Sequence, residues 1–305
     1  MNVWFNMGVM EEVKEWEVVE LLKTTTAFFV TKKVDEPRIS AELLLGHVLG
    51  KSRLELYLHH NRPVYQDELD RFRRLCRQRI EGRPVQYLTG EQYFYGLQFF
   101  VDERVLIPRP ETELLVEQVL DALGMTGRGG SRKGKILDIG TGSGCIAVTL
   151  AKLSPELRVS AIDCSLEALE VARINVLKHG VESQVSCIHA DLFDEFFATR
   201  LPETSYDLIV SNPPYIPVCE WEGLQREVKQ YEPKIALTTL HGVECYHAIA
   251  AQAAKLLVPG GRLCFELHAD AAAVVSELLE ANGFGGITVT KDYSGLDRIL
   301  SAISG

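Results

Sequence analysis

The segment Lys135-Ile136-Leu137-Asp138-Ile139-Gly140-Thr141-Gly142-Ser143-Gly144 reads as an apolar strand that breaks into a glycine-rich turn, and Cys145-Ile146-Ala147-Val148 then opens as a helix. Glycines in such a turn let the backbone bend sharply and let a ligand approach closely. Strand, glycine turn and helix in this order mark a doubly wound α/β sheet, whose ligands sit outside the carboxyl ends of its strands. Further strands are expected at Arg158–Asp163, Val185–Ala190, Tyr206–Ser211, Arg262–Leu267, Ile287–Asp292 and Arg298–Ile303, with helices between most of them. Ser165 caps a helix over Leu166–His179 and Gly180 ends it. A helix over Val243–Leu257 stops at Pro259-Gly260-Gly261. Only Ser294-Gly295-Leu296 separates the last two strands, so they are expected to pair antiparallel in an otherwise parallel sheet. The fold class is α/β, with a Rossmann-like seven-stranded domain.

Upstream of that domain the character changes. Residues 1–84 read as helical: Ser40–Leu49 and Asp67–Ile80 carry apolar residues at helical spacing. Arg71, Arg73, Arg74, Arg77 and Arg79 crowd the second segment, as a solvated face or as a surface for an acidic or RNA-associated partner. Residues 85–107, with Val85–Leu88 and Gln98–Ile107 rich in aromatic and β-branched side chains, predict a β-hairpin linking two domains. Pro110 stands where a helix over Glu111–Leu123 begins. The glycine-rich stretch Gly124–Gly134 predicts a mobile loop. The expected organisation is a helical domain over 1–84, the hairpin over 85–107 and a catalytic domain over 108–305.

At 305 residues the chain is long for one core. It has no apolar run of the roughly 18 residues that cross a bilayer, and Met1–Met10 does not read as a secretory signal. Its seven cysteines are scattered without a C-x-x-C pair, against a zinc site or disulfide framework, so a reducing cytoplasm is expected. The net charge of −10 is uneven. Residues 1–84 hold 14 Lys and Arg against 13 Asp and Glu, for +1; the rest hold 18 against 29, for −11. Such a body repels phosphate backbones, so a nucleic-acid substrate is not expected, and without a bilayer-length apolar run neither is a membrane.

The glycine spacing narrows the ligand. A dinucleotide site has the pattern G-x-G-x-x-G/A. Here Gly140, Gly142 and Gly144 place the third glycine one position early, a tighter spacing that S-adenosylmethionine enzymes show more often. Asp163 ends the next strand, where an acid accepts from both ribose hydroxyls; that does not separate the two ligands. Asp191 lies on the same rim, either as an adenine-amine acceptor or as a helix cap, with Leu192 and Phe193 able to cover a ring. The expected cofactor is S-adenosyl-L-methionine, leaving as S-adenosyl-L-homocysteine, with no metal.

The run Ser211-Asn212-Pro213-Pro214-Tyr215 ends the strand Tyr206–Ser211, beside the first strand. A planar amide or aromatic amine is a poor nucleophile and must be held by acceptors for its two N–H groups. The Asn212 side chain supplies one acceptor oxygen, and the Pro213 carbonyl a second. Pro213 and Pro214 stiffen the corner. Tyr215 offers a ring face to the substrate amide or to a cation. Asn212, Pro213 and Tyr215 are the expected catalytic residues, with Pro214 joining them in substrate binding. A tight turn without chemistry is the bland alternative.

These residues resemble the HemK/PrmC family, protein-(glutamine-N5) methyltransferases of peptide chain release factors. The resemblance is carried by Leu106–Glu113, Asp138–Ala147, Val210–Ile216 and Tyr231–Leu237, and it extends from about residue 40 to the C-terminus. It implies that Gly140, Thr141, Gly142, Ser143, Gly144, Asp163, Leu192 and Asn212 contact the cofactor. It implies that Asn212–Tyr215 hold the glutamine of a Gly-Gly-Gln tripeptide, and that the N-terminal domain engages a class I release factor. One departure is Glu266-Leu267-His268, where many members carry Glu-Ile-Gly. The competing readings are a DNA adenine-N6 methyltransferase, which needs a basic DNA-binding surface, a glutamine methyltransferase of a ribosomal protein, and a binding module that kept the fold and lost activity.

Overall fold

The computed structural model describes residues 15–125 and 133–305. Met1–Met10 and most of the predicted loop at 124–134 lie outside the described residues. The chain divides into two compact units, residues 1–89 and 90–305.

The first unit is helical: α1 Val18–Thr31, α2 Pro37–Leu49, α3 Arg53–Leu58, α4 Gln66–Ile80 and α5 Val85–Thr89. Leu21, Phe29, Leu44, Leu45, Leu56 and Phe72 fill its core. The α4 arginines do not form one face. Arg79 is buried, donating from Nε to Ser40 Oγ at 3.2 Å and from Nη1 and Nη2 to the carbonyls of Arg83 and Asp35. Arg71 and Arg73 pair with Asp67 and Asp70 along their own helix. The expected strand at Val85–Leu88 is helix α5. Pro84 starts that turn, its carbonyl accepting from Leu88 N–H, and Gly90 at φ 71° follows it. Proline at a helix start outweighs the β-branched composition.

The second unit opens with a shorter hairpin than predicted, β1 Glu91–Phe94 and β2 Leu97–Phe100. Tyr95 and Gly96 both take positive φ, as two-residue hairpin turns require. The second strand does not continue to Ile107, because the Asp102 carboxylate accepts from Arg104 N–H and closes a turn. Helix α6 Glu111–Ala122 follows, then β3 Gly134–Ile139, α7 Cys145–Leu153, β4 Leu157–Asp163, α8 Leu166–His179, β5 Val185–His189 and β6 Tyr206–Ser211. The chain ends with α9 Glu244–Leu256, β7 Leu257–Glu266, α10 Ala272–Ala281, β8 Phe284–Lys291 and β9 Asp297–Ser304.

The seven strands β3 to β9 form one sheet in the order β8-β9-β7-β6-β3-β4-β5, with β9 antiparallel to both neighbours. Alternate residues face opposite sides. Ile136, Leu208 and Val210 pack with α6, α7 and α8; Leu137, Ile209 and Leu263 pack with α9 and α10. Strand β7 starts earlier than Arg262, its register against β6 shifting between Leu257 and Arg262 around Pro259-Gly260-Gly261. No described helix is long and apolar enough to cross a membrane.

Asn175, fully buried on α8, ties the hairpin to the glycine turn. Its Oδ1 accepts from Phe100 N–H at 2.7 Å, and its Nδ2 donates to the carbonyls of Phe100 and Ser143 at 2.9 and 2.8 Å. Leaving a buried polar group unpaired costs about 1–3 kcal/mol. Asn175→Ala is therefore expected to destabilise the second unit by at least about 2 kcal/mol, read as a lower midpoint in urea denaturation. An unchanged midpoint would mean that water replaces all three bonds.

Candidate active site

The glycine turn leaves the end of β3 with Gly140, Gly142 and Gly144 all at positive φ, between 54° and 79°. An added Cβ at Gly140 or Gly142 would meet nothing within 4 Å, whereas at Gly144 it would meet Ala172 of α8 at 3.4 Å. The first two glycines thus border open space and the third is a packing position. Thr141 and Ser143 are buried. The Thr141 hydroxyl donates to Asp138 Oδ2 at 2.7 Å, and that acid is buried beneath the turn. Burial pushes the Asp138 carboxyl up to about 7, the Thr141 bond opposing it and Asp163 adding to it.

Asp163 stands at the end of β4 and accepts from Gly142 N–H and Ser165 N–H, one at each oxygen, both at 2.9 Å. Each oxygen keeps a lone pair. Burial also raises this carboxyl above the ordinary aspartate value, against the pull of those N–H groups. Asp191 is exposed and caps a turn, accepting from Phe193 N–H at 2.9 Å, rather than a helix.

Gly140, Gly142, Asp163 and Asp191 border a cleft with about 300 Å³ of free volume. Of the residues expected at the site, Gly140, Gly142, Asp163, Asp191, Leu192, Asn212, Pro213 and Pro214 line it; Thr141, Ser143, Gly144 and Tyr215 stand behind the lining. The lining also includes Val105 and Leu106, and Pro233, Ile235 and Ala236. Those two distant segments are held together by buried Glu232, which accepts from Ile107 N–H at 3.2 Å and pairs with Arg109 at 2.6 Å.

Asn212 belongs to a hydrogen-bond chain that motif reading did not supply. Its Nδ2 donates to Thr112 Oγ1 at 3.0 Å, Thr112 donates to Glu266 Oε2 at 2.6 Å, and the Tyr215 hydroxyl donates to Glu266 Oε1 at 3.0 Å. Glu266 is 1% exposed. Tyr215 turns its hydroxyl inward to Glu266, and its ring meets that of His268 in a T-shaped contact, 6.0 Å between centroids. Among the described residues, no group of three His, Cys, Asp or Glu side chains could hold a metal ion.

Residues 20–90 match the family described as PrmC N-terminal domain, and residues 110–221 the one described as methyltransferase small domain. A protein of Chlorobaculum tepidum named release factor glutamine methyltransferase is 56% identical over 295 residues, 97% of this chain and 100% of that protein. One of the same name from Rhodopirellula baltica is 41% identical over 94% of this chain and 96% of its own length. The chain belongs to the HemK/PrmC family of release factor glutamine methyltransferases. It is a methyltransferase, with the family's helical N-terminal domain ahead of the α/β sheet. Among solved structures, "hMettl16 catalytic domain in complex with MAT2A 3'UTR hairpin 6" matches at TM-score 0.52 and 19% identity, covering 68% of this chain and 76% of that one. That likeness bears on the fold alone.

A carboxyl whose pKa is raised by folding contributes stability below its unfolded value and loses it as pH rises through the folded value. For Asp138 that window runs from about pH 4 to about pH 7. Asp138→Asn, whose amide oxygen still accepts from Thr141, should gain stability relative to the unsubstituted protein across that window and level off above it. Denaturant titrations at a series of pH values check this; a difference independent of pH contradicts it.

Proposed function

We propose that this protein transfers a methyl group from S-adenosyl-L-methionine to the side-chain amide N5 of the glutamine in the Gly-Gly-Gln motif of class I peptide chain release factors. The observation that carries the reading is the direction of the Asn212 amide. Its NH₂ end is bonded to Thr112, outside the cleft lining, which in this reading leaves its oxygen as the end free for a ligand in the cleft that Asn212 borders.

The cleft suits the cofactor. Gly140 and Gly142 leave room for a close ligand, and Asp163 keeps acceptor capacity for ribose hydroxyls. Among the described lining residues Arg104 is the one cation, and its guanidinium is bonded to Asp102 and Glu170. A pyrophosphate would meet Asp163 and Asp191 with little compensation; a positively charged sulfonium is favoured by them. When bound, S-adenosyl-L-methionine supplies a methyl group on positively charged sulfur.

The chain's own residues have the acceptor to hold. A glutamine amide has its nitrogen lone pair delocalised into the carbonyl, so orientation is the main lever. In this reading the Asn212 oxygen and the Pro213 carbonyl accept its two N–H groups, fixing the plane of the nitrogen. The prolines at 213 and 214 hold that carbonyl in direction. The nitrogen turns acidic as it is methylated, so no strong base is required beforehand. The names of the relatives support the partner, and the acidic second unit supports a protein substrate over a nucleic acid. A cytoplasmic location follows from that partner.

Incubating the protein with a class I release factor and labelled S-adenosyl-L-methionine should add one methyl to the tripeptide glutamine, read by peptide mass spectrometry. Label on any other residue, or none, refutes the proposal. Asn212→Ala should reduce turnover at least about a hundredfold while circular dichroism stays close to that of the parent. Asp163→Ala should weaken cofactor binding about tenfold or more, through loss of charge-assisted bonds, measured by calorimetry. An unchanged dissociation constant would remove Asp163 from the ribose site.

A further inference from the structure

We propose that Thr112 and Glu266 are positioning residues that decide which end of the Asn212 amide faces the cleft. The inference rests on the function proposed above. The oxygen and NH₂ ends of an asparagine amide are nearly equal in shape. Packing alone therefore does not select one of them. Rotated by half a turn, Asn212 would present a donor to a substrate NH₂, and one of the two acceptors would be lost.

Hydrogen-bond polarity makes the selection. A hydroxyl carries one hydrogen. That of Thr112 is committed to Glu266 Oε2 at 2.6 Å, so only lone pairs remain for Asn212, which must answer with its NH₂ at 3.0 Å. The direction runs from Asn212 through Thr112 to the carboxylate. Tyr215 donates to the other carboxylate oxygen, so both oxygens of Glu266 receive hydroxyl hydrogens. Neither Thr112 nor Glu266 is among the residues lining the cleft, so each acts through Asn212 rather than on the substrate.

The chain is fixed in this polarity while Glu266 is ionised. A protonated Glu266 could donate to Thr112, whose hydrogen would then be free to point at Asn212 and let the amide turn. The groups facing this carboxyl are Thr112 and Glu111 of α6, Tyr215 after β6, and Arg298 of β9, with Cys145 at the start of α7 and the Tyr246 hydroxyl bonded to the Glu266 carbonyl. Burial raises the carboxyl above the ordinary glutamate range; Thr112, Tyr215 and Arg298 oppose that rise and Glu111 adds to it.

The test is steady-state kinetics with a class I release factor and S-adenosyl-L-methionine. Thr112→Val keeps the shape and removes the relay, and should lower kcat about tenfold or more while KM and cofactor affinity stay within about twofold. Thr112→Ser should recover most of the lost kcat. The kcat of the unsubstituted protein should fall toward acid pH with an apparent pKa above the ordinary glutamate value of about 4.3. Glu266→Gln should be slow at every pH and lack that acid limb. A Thr112→Val kcat within about twofold of the parent, or a Ser variant as impaired as Val, overturns the inference. If Thr112→Val does not fold, Glu266→Gln decides: parental kcat with an intact acid limb overturns it. No turnover by the unsubstituted protein overturns the functional reading and this inference together; normal turnover with an indifferent Thr112 overturns the inference alone.

Discussion

Ile139 and Ser211 lie side by side at the carboxyl ends of β3 and β6, and the Ser211 hydroxyl donates to the Ile139 carbonyl at 2.7 Å. Everything at the site depends on this junction. Two parallel strands with buried, apolar interiors cannot slide past one another without moving both faces of the core. Their ends therefore stay in register, and the residues that follow, Gly140 on one and Asn212 on the other, stay neighbours. The glycine turn and the proline corner are 72 residues apart in sequence between Ile139 and Ser211, yet the sheet fixes them as one surface.

Around that junction the fold uses buried acids as fasteners, each in a different balance. Glu232 is compensated by a cation, Arg109, and a backbone N–H. Glu266 has two hydroxyls and a more remote arginine. Asp138 has the Thr141 hydroxyl and the Ala147 N–H, and it sits near a second acid, Asp163, so burial raises its carboxyl against those bonds. Burying a carboxyl without a paired cation is costly; Glu266 bears that cost where segments distant in sequence meet, and Asp138 bears it within the glycine turn. Removing one partner from such a site is more damaging than never having built it.

The sheet was legible because its strands are apolar runs with glycine, proline or serine at their ends. Leu166–His179 matches to the residue because Ser165 and Gly180 state its limits chemically: the Ser165 hydroxyl accepts from Ala168 N–H, and Gly180 takes φ 65°. The hairpin was misjudged where composition spoke alone; Val85–Leu88 looks extended until Pro84 is read as a helix start. Of the candidate residues with a motif around them, those that line the cleft are glycines and prolines together with Asp163, Asp191, Leu192 and Asn212. Thr112, Asn175, Glu232 and Glu266 gave weaker signals, because a single polar residue in an apolar helix or strand does not name its partner. Glu266 follows the apolar run Leu263–Phe265, a position where an acid is buried. The Arg71–Arg79 cluster shows the opposite error, in which a run of charge suggested one surface although Arg79 points into the core.

The proline corner is rigid for two independent reasons. On its own side, Pro213 and Pro214 fix two φ angles. On the other, Gly242 at φ 84° packs against the backbone that leaves the corner: a Cβ there would stand 2.9 Å from the Tyr215 carbonyl oxygen and 3.1 Å from Pro217 Cγ. A parallel two-residue pairing of Ile216–Pro217 with Thr238–Thr239 holds that backbone in place. The same return segment carries Glu232, Pro233 and Ala236, so the wall of the cleft and the clamp on the corner are one piece of chain. Orientation catalysis asks for acceptors that do not move when the substrate arrives. Here the Pro213 carbonyl is stiffened covalently, the Asn212 amide is tied to Thr112, and the backbone behind both is held by a glycine with no side chain to keep it away.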